Sequence, residues 1–370
     1  MSDFACRVHR LEVEEVPGGA QFIQLARVGD FRSIVKRDSF KTGDLGVYIP
    51  ENAIVPDNLL EEMGLVGRLG GKLKNIVRPM KMRGMVSEGL IYPIREGWVE
   101  GQDVTEELGV TKYEPPIPIH MQGQVWNAGS ERTLHYDIEN FKAHPDVFKE
   151  GEEVVFTEKI HGTFLLAGAV CEDLKDEEEG HSVVASKGLA SRGLAFKLNE
   201  ENKANLYVRA FRKILDQVFS DWTEIQEKFF ESQNGKIRAV FVLGEIFGKG
   251  VQSLDYGASA GSEGTLGVRV FDIYIKSTEG NYYLDDEELD KFCSGLHLER
   301  VPVLYRGPFS KEKMLEYTSG KEVVSGRQLH IREGIVVKPV KERRNDVLGR
   351  VILKSVSEAY LNKATGDEIQ

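Results

Sequence analysis

The stretch Glu158-Lys159-Ile160-His161-Gly162-Thr163 stands where one strand-like run, Val154–Thr157, ends and another, Phe164–Val170, begins. A lysine followed three residues later by glycine carries little information alone: Lys81–Gly84 and Lys363–Gly366 match the same pattern. What singles out Lys159 is its sequel. Gly244-Glu245-Ile246-Phe247-Gly248 follows a strand-like run, and Phe271-Asp272-Ile273 lies inside another. Glu333-Gly334-Ile335-Val336-Val337-Lys338 opens a third, and Leu353-Lys354 closes a fourth. Five pieces in order, each at a strand or strand edge, are far less expected by chance than any one.

Working outward, Val268–Ile275, Arg238–Leu243, Gly334–Val340 and Gly349–Lys354 read as strands, rich in β-branched residues. Leu284–Cys293 and Lys311–Tyr317 read as short helices, the second ended by Gly320. Ala204–Phe230 spaces its apolar residues as surface helices do. Strands dominate without a regular βαβ beat, so the class is α+β with antiparallel sheets. Upstream, Cys6–Val13, Phe22–Val28, Arg32–Val35, Gly46–Tyr48 and Gly89–Tyr92 are short strands between glycine turns. Such a meander predicts a small closed β-barrel of OB-like type over residues 1–115. Pro115-Pro116-Ile117-Pro118 opens a linker over 116–135, and a second domain occupies 136–370.

Composition is consistent with this division. The chain has 370 residues, more than the roughly 250–300 that one core supports. Apolar residues are 41% and charged residues 29%, which excludes general disorder. No apolar run reaches the roughly 18–20 residues of a membrane span, and the N-terminus lacks a signal-peptide plan. Cys6, Cys171 and Cys293 are odd in number and widely spaced, which points to reduced thiols in a cytoplasmic compartment rather than disulfides or zinc. Net charge is −11, from 48 basic and 59 acidic residues. Against that total, Arg68, Lys72, Lys74, Arg78, Lys81 and Arg83 form a basic run without an acidic residue, a candidate contact to a phosphate backbone. The acidic stretch Glu172 to Glu179 reads as a solvated loop.

The ordered pieces resemble motifs I, III, IIIa, IV and V of the covalent nucleotidyltransferases, the polynucleotide ligases and mRNA capping enzymes. They are most similar to ATP-dependent RNA ligases, in particular the Deinococcus-type branch with an N-terminal OB-like domain. The resemblance spans about Asp137 to Leu361 and continues more weakly around Met82-Arg83-Gly84 and Ser87-Glu88-Gly89-Leu90. DNA ligases and capping enzymes place an OB domain after motif V; only 16 residues follow Lys354 here. The resemblance implies a nucleotidyltransferase domain of ATP-grasp-like antiparallel sheets with flanking helices.

For the site, the resemblance implies that Lys159 is the nucleophile that takes AMP from ATP. A lysine amine can do so once unprotonated, and nearby cations favour that form. Lys338 and Lys354 would contact phosphate, Glu245 the ribose, and Glu158 the nucleotide. Phe271 and Val336 would sandwich the adenine, whose two faces are apolar. Motif Ia is either Ser186-Lys187-Gly188 or Ser191-Arg192-Gly193, with Lys187 favoured over Arg192. Glu333 and Glu245 would serve Mg²⁺ or Mn²⁺, directly or through water. Two positions depart from the pattern. His161 stands where the superfamily often has aspartate, and Val356 where motif V often has a second lysine. Arg350 or Lys341 would then help neutralise phosphate. The implied partner is RNA or an RNA-containing duplex, nicked with an RNA 3′-hydroxyl strand, bound by a monomer. Two other readings remain open at this point: a DNA ligase or GTP-dependent guanylyltransferase, and a non-catalytic nucleic-acid-binding module.

Overall fold

The computed structural model describes residues 4–82, 85–113, 123–170, 182–212, 237–248, 250–257 and 266–361. The chain divides into two compact units. One comprises Ser2–Pro116 with Glu139–Asp146 and Glu358–Gln370; the other comprises Ile117–Ile138 and Val147–Ser357. Arg83, the acidic stretch 172–179, Cys171, the proline segment 115–118 and most of the expected helix 204–230 lie outside the described residues.

In the N-terminal unit, alternating apolar residues build short antiparallel ladders. Leu45–Ile49 lies between Arg7–Arg10 and Leu90–Pro93. Ile23–Val28 lies between Glu12–Glu14 and Phe31–Lys36. The first expected strand is broken at Leu11, whose N–H turns to the Asp44 carbonyl. Among the described residues these ladders are two sheets, and the Glu88 N–H donates to the Arg32 carbonyl at 2.7 Å between them. Val8, Val47, Ile49, Leu59 and Val104 form the buried core of the first, and Ala26, Val28 and Val35 pack with Leu11, Tyr48 and Ile91 beneath the second. Helix Asp57–Met63 was not anticipated, although Pro56 before it and Gly64 after it are boundary signals; Gly64 takes the left-handed conformation that ends it. The returning segment Glu139–Asp146 is tied to this unit by Lys142, which pairs with Glu88.

The second unit is built on two antiparallel sheets. In one, Leu353–Val356, Gly334–Pro339, Glu153–Lys159 and Val303–Pro308 are successive neighbours. In the other the order is Ser182–Ser186, Thr163–Val170, Ile237–Phe247, Gly267–Ser277, Gly280–Tyr283. Strands buried on both faces explain the near-continuous apolar run Ala239 to Leu243. Helix Asp286–Gly295 seats Leu289, Phe292 and Cys293 on the second sheet's core, and Glu288 accepts the Asp285 N–H at 2.8 Å to close its first turn. Two expectations are corrected. Gly349–Lys354 is not one strand: Gly349–Arg350 closes a small hairpin with Arg344–Asn345, and the sheet strand starts only at Leu353. The break turns the Arg350 guanidinium onto Asp272. Within the stretch expected as linker, Val125–Asn127 pairs with Leu194–Phe196 and buries Trp126.

Candidate active site

Lys159 is the last residue of its strand and lies opposite Gly334, the first residue of the neighbouring strand. This register sets Glu333 beside it, and the Lys159 Nζ donates to Glu333 Oε1 at 2.5 Å. The chain then crosses from one sheet to the other through Ile160-His161-Gly162. Thr163 enters the second sheet opposite Ile246, and Phe164 opposite Glu245. Glycine is required at two points here. A Cβ on Gly162 would stand 2.2 Å from the Ile246 carbonyl oxygen and 2.9 Å from the Glu245 side chain; one on Gly334 would stand 2.1 Å from the Ser355 carbonyl oxygen. His161 Nδ1 lies 3.4 Å from Glu333 Oε2, its Nε2 3.3 Å from Ser253 Oγ, and its N–H donates to the Tyr256 hydroxyl at 2.8 Å.

These elements enclose a cavity of about 270 Å³. Lys159, Lys187, Lys338 and Lys354 supply its cations, and Glu158, Glu245, Asp137 and Asp272 its carboxylates. Its apolar wall includes Phe271, Val336, Phe164, Tyr136, Val301 and Ile352. Tyr136 packs at 5.4 Å from Phe271 and 5.7 Å from Phe164 between ring centroids. A slot with aromatic walls and a cluster of lysines suits a flat heterocycle carrying phosphates.

The charges are strongly coupled. Burial pulls the Lys159 amine down, but Glu333 and then Glu245 outweigh it and hold it above its ordinary value. Burial drives the Glu245 carboxyl up to about 8 despite the pull of Lys159. Glu333 is also buried, yet Lys159 and His161 bring it below the usual carboxylate range. Glu333 is therefore the counter-charge of Lys159, and Glu245 beside them is pushed toward its neutral form. Asp272 is buried too, and Arg350 and Lys338 hold it well below the usual range. It accepts from Lys338 Nζ at 3.0 Å, from Arg350 at 2.8 and 2.9 Å, and from the Tyr136 hydroxyl at 2.6 Å.

Of the residues singled out in the sequence, Glu158, Lys159, Lys187, Glu245, Phe271, Val336, Lys338 and Lys354 line this one cavity, with Glu333 on Lys159. Lys187 also pairs with Asp137 at 2.7 Å. Arg192 does not line it; its guanidinium donates to the Gly188 carbonyl at 2.9 Å. Glu158 is buried, and its Oε2 accepts the Val323 N–H at 2.8 Å. Lys338 is 3% exposed, so its amine meets Asp272 rather than open solvent. Arg350 is committed to Asp272 and Glu342. Lys341 pairs with Asp285. In the N-terminal unit Arg68, Lys72, Lys74 and Lys81 are exposed, whereas Arg78 donates to Asn52 and lies over the Tyr113 ring. Sequence reading missed Tyr136, Asp137 and Phe164. Asp272 was quoted only as part of its motif, although an acid directly after a strand aromatic is itself unusual in a core.

Among the described residues no three His, Cys, Asp or Glu side chains are arranged to hold a metal. Glu245 and Glu333 still offer hard oxygen donors at a charge-deficient point. That fits a Mg²⁺ or Mn²⁺ ion drawing its other ligands from phosphate and water.

An OB-fold domain model matches residues 6–94. No curated protein matches. Among solved structures, an RNA ligase of Naegleria gruberi with PPi has a TM-score of 0.75 at 22% identity, covering 98% of this chain and 99% of that one. A point mutant of the same ligase with ATP and Mn has a TM-score of 0.73 at 22% identity, covering 97% and 98%. Another mutant, with AMP and Mn, has a TM-score of 0.74 at 21% identity, covering 97% and 98%. The RNA ligase model matches residues 152–356, more than half of the chain and every motif from Lys159 to Lys354, so the chain belongs to the RNA ligase family.

Proposed function

We propose that this chain is an ATP-dependent RNA ligase that joins 3′-hydroxyl and 5′-phosphate ends through a lysyl-AMP intermediate, acting as a monomer inside the cell on nicks whose 3′-hydroxyl strand is RNA. The observation that carries the reading is the contact of Glu333 with Lys159, which lines a cavity with aromatic walls and further lysines. In the first step Lys159 Nζ attacks the α-phosphorus of ATP. An N–P bond forms, the α–β P–O bond breaks and pyrophosphate leaves. The lysine must shed a proton, and Glu333 Oε1 is the acceptor in contact. Lys187, Lys338 and Lys354 carry positive charge toward the phosphates, and Phe271 and Val336 hold the adenine. Glu245 and Glu333 would hold Mg²⁺ or Mn²⁺, which when bound supplies positive charge to the phosphoryl group and favours the neutral amine. AMP then passes to the 5′-phosphate, and the 3′-hydroxyl displaces it to form the phosphodiester. The relatives seen with ATP, AMP, PPi and Mn support this reading. The exposed cations of the N-terminal unit support contact with the strand backbone.

The test is sealing of a labelled nicked duplex with ATP or GTP, using matched RNA and DNA 3′-hydroxyl strands. Sealing with ATP and an RNA 3′-hydroxyl, lost in Lys159→Ala, is expected. Equal use of DNA ends would make this a general polynucleotide ligase, and preference for GTP would overturn the nucleotide assignment.

A further inference from the structure

The N-terminal unit carries an exposed apolar side chain, Leu73, that the scheme above leaves unused. Gly70 and Ile76 exchange backbone hydrogen bonds at 2.9 and 3.1 Å and close a tight hairpin tip. Its base is fixed. Leu69 and Ile76 are buried, Asn75 accepts the Val55 N–H at 2.9 Å, and the Val77 N–H donates to Ala53 at 2.9 Å. Inside the tip the Lys74 N–H donates to Gly71, and Gly71 and Lys74 both take positive φ. At the apex stands Leu73, 79% exposed, more than any other large apolar side chain among the described residues. Lys72 and Lys74 flank it, and Arg68 precedes it; all three are exposed and, among the described residues, none has an ion-pair partner. No Asp or Glu occurs from Met63 to Ser87, in a chain of net charge −11.

The exposed Leu73 offers an apolar contact at the hairpin tip, and the cations beside it favour an anionic partner. We infer that this hairpin is a nucleic-acid probe: Leu73 rests on the sugar and base edges of the shallow minor groove of an RNA-containing duplex, while Lys72 and Lys74 take phosphates on either side. The inference rests on the RNA ligase reading above, and it divides the basic run: Arg78, held by Asn52, is a structural cation, and Lys72 and Lys74 are contact residues.

The test is fluorescence anisotropy of the full chain with a labelled nicked duplex having an RNA 3′-hydroxyl strand, without ATP, over a range of salt. Leu73→Ala should weaken binding about tenfold with an unchanged salt slope, as loss of apolar contact does. The Lys72→Ala/Lys74→Ala double variant should flatten the slope of log Kd against log salt by about 1.4–1.8, two phosphates at roughly 0.7–0.9 each. Neither variant should alter self-labelling with ATP, since none of the three residues lines the cavity, nor should either lower Tm. Wild-type binding unchanged in both variants overturns the inference and leaves the ligase reading intact. No binding by wild type overturns the RNA reading itself. Sedimentation showing self-association lost in Leu73→Ala would make the tip a protein contact and overturn the inference.

Discussion

Asp272 and Lys338 form a buried ion pair, Nζ to Oδ1 at 3.0 Å, with each side chain less than 5% exposed. Arg350 closes the other side of the same carboxylate. One acid therefore compensates two cations at the wall of the cavity, helped by Glu342 at 2.6 Å from Arg350 and 3.7 Å from Lys338. Removing one partner of such a cluster strands buried charge, which costs about 3–5 kcal/mol. Asp272→Asn should lower unfolding stability by about that amount, read from urea melts. Adding Lys338→Met to it should restore part of the loss. A change under about 1 kcal/mol would show that Asp272 is not the counter-charge.

Glu158 predicts a pH signature. Burial raises its carboxyl to about 7, with the Val323 N–H and Arg332 opposing. The unfolded chain ionises near the ordinary value while the folded chain keeps its proton. Stability is therefore full below about pH 4.5 and falls as pH rises to about 7, by on the order of 3 kcal/mol. Glu158→Gln keeps the acceptor for Val323 and has no charge to bury. Its Tm advantage over wild type should be near zero at pH 4.5 and grow to a plateau above pH 7. A gap independent of pH would mean that Glu158 ionises normally.

Much of this arrangement was legible in the sequence because strand register is. Lys159, Val336 and Lys338 occupy ladder positions whose register fixes which side chains meet, so the order of the motifs along the chain brings them to one cavity. Asp137 and Tyr136 were not legible: they lie before the first motif, in a stretch without periodicity, and reach Lys187 and Asp272 only through tertiary folding. Arg350 or Lys341 is expected to help neutralise phosphate because Val356 stands where a second lysine is often found, and Gly349–Lys354 reads as one strand. The break at Val351 and Ile352 redirects Arg350 to Asp272, and no local propensity announces that. The hairpin at Gly70 and Ile76 was visible as a glycine pair, but Leu73's exposure was not.

Lys187 and Arg192 competed for one role in the sequence, and their surroundings separate them. Lys187 lines the cavity; Arg192 is turned to the Gly188 carbonyl. Lys187→Ala should slow formation of the adenylylated protein by at least about tenfold, as loss of one phosphate-directed charge does. Arg192→Ala should change it less than about threefold. Single-turnover labelling at saturating ATP measures both, and the reverse order would reassign the motif.

Phe271 tests the base-binding slot. Phe271→Ala removes one aromatic face, worth about 1–3 kcal/mol of stacking, and should raise the ATP KM roughly 10-fold or more with a smaller change in kcat. Phe271→Tyr keeps the face and should stay near wild type. An unchanged KM in the alanine variant would place the base elsewhere in the cavity.

The proposed mechanism requires Lys159 to become covalently attached to AMP. Intact-protein mass spectrometry after incubation with ATP and Mn²⁺, on protein first treated with pyrophosphate, tests it most directly. A mass gain of one AMP is expected in wild type and none in Lys159→Ala. No gain in wild type with either ATP or GTP, or a gain that persists in Lys159→Ala, would contradict it.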